Sequence, residues 1–128
     1  PKPATALSAG YDLRVFCPDN GFIDIPAGAC TMCRTNAVIS MPTDAIGMIV
    51  SRSGLAFRDG LIVLNSPGII DADYHDELCV LLFNSSTTTR RILHGDRIAQ
   101  LVFVPNANPY RGTHDVHRVG GFGSTGVS

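Results

Sequence analysis

The chain has 128 residues, 45% hydrophobic and 16% charged, which suits one domain that removes roughly two-thirds of its unfolded surface from water and excludes two. Ten basic against eleven acidic side chains leave a formal charge of -1, which argues against nucleic-acid or membrane-surface binding by bulk electrostatics, so any polyanion must be held by a local site. Residues 1–5 have no signal-like apolar core, no window approaches the ~18 apolar residues of a membrane span, and a domain this apolar has no need of disulfides, so the expectation is a soluble intracellular chain with reduced thiols at Cys17, Cys30, Cys33 and Cys79.

Thirteen Gly, eight Pro and frequent Val, Ile and Thr favour short strands joined by tight turns. Lys2 is the one lysine and Glu77 the one glutamate, so the residues that usually cover the wet faces of helices are almost missing. In chain order, apolar or alternating runs predict strands at residues 22–25, 30–39, 45–50, 61–64, 78–83, 91–93 and 98–104. Turn signals fill the gaps: Pro18-Asp19-Asn20-Gly21, Pro26-Ala27-Gly28, Met41-Pro42, Arg58-Asp59-Gly60, Ser66-Pro67-Gly68 and His94-Gly95-Asp96. Seven or more strands at this spacing indicate an all-β sandwich, jelly roll or barrel. The one candidate helix, at residues 54–57, has Gly54 against it. Phe83 and Phe103 are expected in the core, Cys17 and Cys79 in or near it, and His75 and His94 solvated at turns. After residue 104 the apolar periodicity stops, so a single domain is expected to divide into a β core, 1–104, and a linker and Gly-rich arm, 105–128.

Three segments carry chemistry. Arg52-Ser53-Gly54 follows a strand with a guanidinium fork, a hydroxyl and an amide without a side chain, a set that can hold phosphate oxygens or simply end a strand with a solvated Arg. Residues 120–126, GGFGSTG, can form a nest of backbone donors with Ser124 and Thr125 hydroxyls and a flat Phe122; no Lys follows, so this is not a Walker A loop, and a plain tail is the alternative. Residues 65–74, NSPGIIDADY, end a strand, turn, and set Asp71 and Asp73 two apart. Strand alternation would give both carboxylates one pocket beside Tyr74, suiting a general base or metal-water ligation, whereas an exposed acidic hairpin is the ordinary alternative. Cys30-x-x-Cys33 with His114-x-x-His117 invites a zinc reading, but residues three apart on a strand face opposite sides, so ordinary thiols are expected.

Together and in order, SAGYDL at 8–13, SRSGLA at 51–56, NSPGIIDADY at 65–74, GDRIAQL at 95–101 and GGFGSTG at 120–126 resemble the five motifs of the trimeric dUTPase family. The resemblance implies an all-β jelly-roll (β-clip) barrel, a homotrimer with active sites built from more than one subunit, and a flexible C-terminal arm that closes over them. It implies hydrolysis of dUTP to dUMP and pyrophosphate, with Mg2+ held by the triphosphate and waters and no direct protein ligand, and with neither nucleic acid nor membrane as partner. By the same resemblance Asp71 activates the water and Gln100 lies near it. Arg52, Ser53 and Gly54 bind phosphates, and Tyr74 packs under deoxyribose and excludes a 2′-hydroxyl. The hairpin with Asn65, Ile69, Ile70, Tyr74 and Cys79 reads uracil, and Asp12 and Asp96 support the site. Phe122 stacks on the base, and Gly123, Ser124 and Thr125 donate to the β and γ phosphates.

Two positions depart from the family pattern. Asp76 stands where a Gly is usual, and the expectation is that Asp keeps the hairpin because it tolerates a left-handed turn. The γ-phosphate Arg is one residue late, at Arg118, with His117 in its usual place. A dCTP deaminase of the same fold is one alternative, against which stands its reliance on a catalytic Glu, since Glu77 is the only one here. A trimeric nucleotide-binding protein without turnover is another.

Overall fold

The computed structural model describes residues 7–109. Within them the chain runs β1 (Tyr11–Arg14), β2 (Phe22–Ile25), β3 (Cys30–Arg34), β4 (Ala45–Val50), α1 (Ser53–Asp59), β5 (Leu61–Val63), β6 (Gly68–Ile70), β7 (Cys79–Asn84), β8 (Arg90–Leu93) and β9 (Arg97–Pro105). The strands form a sheet in the order β1-β9-β4-β6, a second, β3-β7-β5, and a two-stranded ribbon, β2-β8. All pairings are antiparallel. The fold is therefore all-β with one short helix, and no helix among the described residues is long and apolar enough to cross a membrane.

Alternation decides which side chains form the core. On β7, Val80, Leu82 and Asn84 are buried and the residues between them are half-buried, the period of two expected of a strand with one face inward. Leu13, Ile49, Leu61, Val63, Ile98 and Leu101 from the other strands, and Leu78 just before β7, are among the residues buried with them. The same rule corrects the expectation for two phenylalanines. Phe83 falls on the outer face of β7 and is half-buried. Phe103 is 40% exposed, because β1 stops opposite Leu101 and the rest of β9 has only β4 beside it; its ring packs edge-on to Tyr11 at 5.9 Å. His94 is exposed as expected, yet its Nδ1 accepts the Cys17 N–H at 3.0 Å and its ring meets Phe16 edge-on.

Asn84 is the one buried polar residue among the described residues, with 0% exposure. Its Nδ2 donates to the carbonyls of Ile25 and Thr88, both at 2.8 Å, and its Oδ1 accepts from the Ser86 N–H and hydroxyl at 2.9 and 2.7 Å. The amide thereby ties β2, β7 and the following turn together with every polar atom partnered.

The helix forms despite Gly54 and ends at Gly60, which is left-handed with φ 68° and donates its N–H to the Ala56 carbonyl. The Gly60 carbonyl in turn accepts from the Ser85 N–H and hydroxyl at 2.8 and 2.7 Å. A Cβ there would stand 3.0 Å from Ser85 Oγ and 3.1 Å from the Ser86 backbone nitrogen. Gly60→Ala is expected to cost about 1–2 kcal/mol from the left-handed conformation, plus the displacement of Ser86. A thermal melt at fixed protein concentration checks it; an unchanged Tm would mean that the turn relaxes freely.

Candidate functional site

The segment between β5 and β7 carries the first cavity. It has a volume of about 180 Å³ and is lined by Asn65, Ile69, Ile70, Asp71, Tyr74 and Cys79, with Ile49, Val63, Gly68, Leu78, Val80 and Leu81 as its remaining wall. That is less than the roughly 300–1,000 Å³ of pockets that enclose a drug-sized ligand, and suits one flat ring. The five residues expected at the base-reading hairpin and Asp71, expected to activate the water, thus line one cavity. Gly68 matters to its shape: it pairs with Ile49, and a Cβ on it would come within 3.3 Å of the Asn65 side-chain nitrogen.

Asp71 does not lie on a strand, which corrects the alternation argument. β6 ends at Ile70, and Asp71 opens a turn closed by the Tyr74 N–H donating to the Asp71 carbonyl at 3.0 Å. Asp71 lines the cavity and Asp73 is not among its lining residues, so the paired-carboxylate arrangement does not form by strand alternation. The turn survives without a left-handed Asp76, since Asn36, with φ 54°, is the only non-glycine of positive φ among the described residues. The hairpin is instead tied to the segment after β3. Tyr74 donates its hydroxyl to the Glu77 carbonyl at 2.8 Å, and the Glu77 carboxylate accepts the Asn36 N–H at 2.8 Å and Arg34 Nε at 3.2 Å. The Asn36 N–H, with Arg34, holds the Glu77 carboxyl below its usual range, while burial pushes the Tyr74 phenol and the Cys79 thiol up.

A second cluster forms where β1, β4 and β9 run side by side. Gln100 pairs with Asp12 on one side and Val50 on the other, and two residues past Val50 stands Arg52. The Asp12 carboxylate lies 3.6 Å from Arg52 Nε and 3.6 Å from Arg97 Nη1. The trio of Asp12, Arg52 and Arg97 carries one net positive charge, and the buried Arg52 Nε has no hydrogen-bond partner among the described residues, an arrangement suited to an anion. Arg52 and Arg97, with Arg58, Asp59 and Asp96, line a second cavity of about 210 Å³. Ser53 and Gly54 are exposed at the start of α1, and a Cβ on Gly54 would meet nothing within 4 Å, so packing within the chain does not demand glycine there. Gly10 differs: its Cβ would stand 2.7 Å from both the Leu101 carbonyl oxygen and Val102 Cγ1, which explains a glycine just before Asp12. Asp96 accepts the Leu93 N–H at 2.8 Å and holds the turn into β9.

The two cavities share no lining residue. Arg118, Phe122, Gly123, Ser124 and Thr125, with His114 and His117, lie outside the described residues. Cys30 is exposed and Cys33 fully buried, on opposite faces as alternation requires, and burial pushes the Cys33 thiol up to about 12. No group of three His, Cys, Asp or Glu among the described residues could hold a metal ion. In the second cluster Asp12 is shared by Arg52 and Arg97 and Asp96 accepts the Leu93 N–H, so these residues fit a cation that arrives on phosphates better than one held by the protein.

The family model described as dUTPase matches residues 1–126. A deoxyuridine 5'-triphosphate nucleotidohydrolase from Caulobacter vibrioides is 39% identical over 132 residues, covering 99% of this chain and 85% of that protein. The protein of the same name from Brucella melitensis is 40% identical over 133 residues, covering 100% and 85%. The crystal structure of dUTPase from Streptococcus mutans is similar in fold, with a TM-score of 0.75 and 32% identity, covering 82% of this chain and 84% of that one. Motifs in order, an all-β jelly roll and this likeness along nearly the whole sequence lead to one conclusion: the chain belongs to the dUTPase family.

Proposed function

We propose that the chain hydrolyses dUTP to dUMP and pyrophosphate, which keeps uracil out of DNA and supplies dUMP for thymidylate synthesis. The observation that carries this reading is the gathering of Asn65, Ile69, Ile70, Asp71, Tyr74 and Cys79 around one ring-sized cavity, together with a separate cluster in which Arg52 and Arg97 share the Asp12 carboxylate. The hairpin backbone reads the uracil edge, and a narrow cavity rejects thymine's methyl group. Tyr74 lies under the deoxyribose and leaves no room for a 2′-hydroxyl. Asp71, at the cavity's edge, accepts a proton from the water that attacks the α-phosphorus, with Gln100 near that water. Arg52, Ser53 and Gly54 hold the phosphates. The substrate is the Mg2+ complex of dUTP, in which the ion neutralises charge on the phosphate oxygens.

The separation of the two cavities supports a homotrimer, in which the base pocket of one subunit meets the arginine cluster of another. Exposed apolar side chains such as Phe57, at 93%, and Val38, at 62%, are surface that further chains would cover. In the same reading residues 1–104 are the core, and 105–128 a linker and arm whose Phe122, Gly123, Ser124 and Thr125 close over base and phosphates, with Arg118 or His117 at the γ-phosphate. Four free cysteines fit an intracellular setting.

The test is pyrophosphate release from dUTP, dCTP, dTTP and UTP with Mg2+. Turnover of dUTP alone is expected. Ammonia release from dCTP would instead reveal a deaminase, although Glu77, the only glutamate, is committed to Asn36 and Arg34 and does not line the cavity. Tight nucleotide binding without turnover would reveal a binding protein.

A further inference from the structure

We infer that Glu77 is a positioning residue for sugar discrimination, acting through Tyr74 by clamping the nucleotide hairpin to the segment that follows β3. The inference rests on the proposed role of Tyr74 against the 2′-hydroxyl.

Tyr74 reaches the cavity from a turn with no strand partner of its own; β6 ends at Ile70 and β7 starts at Cys79. Its ring is fixed at the far end by one bond, hydroxyl to the Glu77 carbonyl at 2.8 Å. The ring therefore stands where that carbonyl stands. The carbonyl belongs to a residue whose side chain is held twice, by the Asn36 N–H at 2.8 Å and by Arg34 Nε at 3.2 Å. Neither anchor is casual. Asn36 is left-handed, with φ 54°, a conformation that Asn tolerates and that β-branched or bulky residues avoid, and its N–H ends on Glu77 Oε2. Arg34, the last residue of β3, also lies over the Phe16 ring at 5.3 Å, so the clamp continues into the segment after β1. One residue further on, the Leu78 N–H donates to the Ala37 carbonyl at 2.8 Å and its carbonyl accepts the Thr35 hydroxyl at 2.6 Å. The outer arm of the hairpin is thus zipped to residues 34–37, and Glu77 contributes the only side-chain ion pair of that seam among the described residues. Glu77 itself stays out of the cavity, so it acts through the ring and not on the nucleotide.

The experiment uses the full chain and the variants Glu77→Ala and Glu77→Gln, with kcat and KM for dUTP and UTP in Mg2+. Loosening a ring that sets fit alone is expected to raise KM for dUTP and to lower the dUTP-over-UTP ratio of kcat/KM, each by about tenfold, while kcat for dUTP changes little. Glu77→Gln should recover much of the loss, because its amide oxygen still accepts the Asn36 N–H. A fall in kcat with unchanged KM and unchanged discrimination would overturn the inference, since a merely structural glutamate lowers the fraction of folded enzyme and nothing else. A second measurement does not need turnover: ultraviolet titration of the phenols, with Tyr74→Phe to identify the Tyr74 step. Both variants remove the Glu77 charge, which itself helps to raise the Tyr74 phenol, so the two are compared with each other: the Tyr74 step should lie lower in Glu77→Ala than in Glu77→Gln, which keeps an acceptor for the Asn36 N–H. If the two steps coincide, the clamp does not set the ring; if they differ while native chain fails to hydrolyse dUTP, the clamp stands and the proposed reaction does not.

Discussion

Asp71→Asn is expected to reduce kcat for dUTP by about 10²–10⁴-fold, the usual contribution of a general base, with little change in KM. The substitution keeps the volume of a side chain that lines a cavity of about 180 Å³ and keeps the backbone carbonyl that accepts the Tyr74 N–H. What it removes is the capacity to take a proton from water. Pyrophosphate release gives kcat and KM, and binding of a non-hydrolysable dUTP analogue reports whether the pocket survives. Retention of turnover within threefold would assign the base elsewhere.

The largest stability effect is expected at Asn84→Asp. The native amide donates twice, to the Ile25 and Thr88 carbonyls, in a position with 0% exposure. A carboxylate cannot donate at all, and would face two carbonyl oxygens without water. The Ser86 N–H and hydroxyl still donate to one carboxylate oxygen, so the cost is expected to stay below the roughly 3–5 kcal/mol of a wholly uncompensated buried charge, and the side chain escapes part of it by binding a proton. Its folded pKa is then raised above the unfolded value, so the variant is least destabilised at low pH and loses stability as pH rises through that raised pKa. Denaturant unfolding at several pH values checks both the size and the slope; a flat pH profile would mean that solvent reaches the site.

Local pattern carried most of the architecture. The runs 22–25 and 45–50 coincide with β2 and β4 residue for residue, because alternation and flanking turns agree there. The run at 30–39 is cut after Arg34, since Asn36 turns left-handed, and nothing in an apolar pattern announces that. β1 and β6 escaped for another reason. Tyr11–Arg14 is half polar, and Gly68–Ile70 follows a Pro-Gly turn signal; each is a strand because β9 or β4 lies beside it, so tertiary pairing overrides local preference. Gly54 argued against a helix that contact with β5 nevertheless supports. At the site, the motif residues of the base pocket were legible as a contiguous segment. The Arg34–Asn36–Glu77 clamp was not, because it joins positions 41 and 43 residues apart. Arg97 was likewise unmarked: its value comes from sharing Asp12 with Arg52.

The back wall of the first cavity is made of Ile49, Val63, Leu78 and Val80, all of which are also buried core residues. Base recognition and foldedness are therefore selected on the same side chains, and a change that reshapes the pocket to accept another base also opens or overfills the interior. At the second cavity the two duties are divided: Leu55, Ile92 and Ile98 back it and belong to the core, whereas Ser53, Gly54, Arg58 and Arg97 stand on exposed positions. Divergence within such a lineage should be slow at the base pocket and faster at the phosphate end, where a substitution alters charge without disturbing the packing that keeps the protein folded.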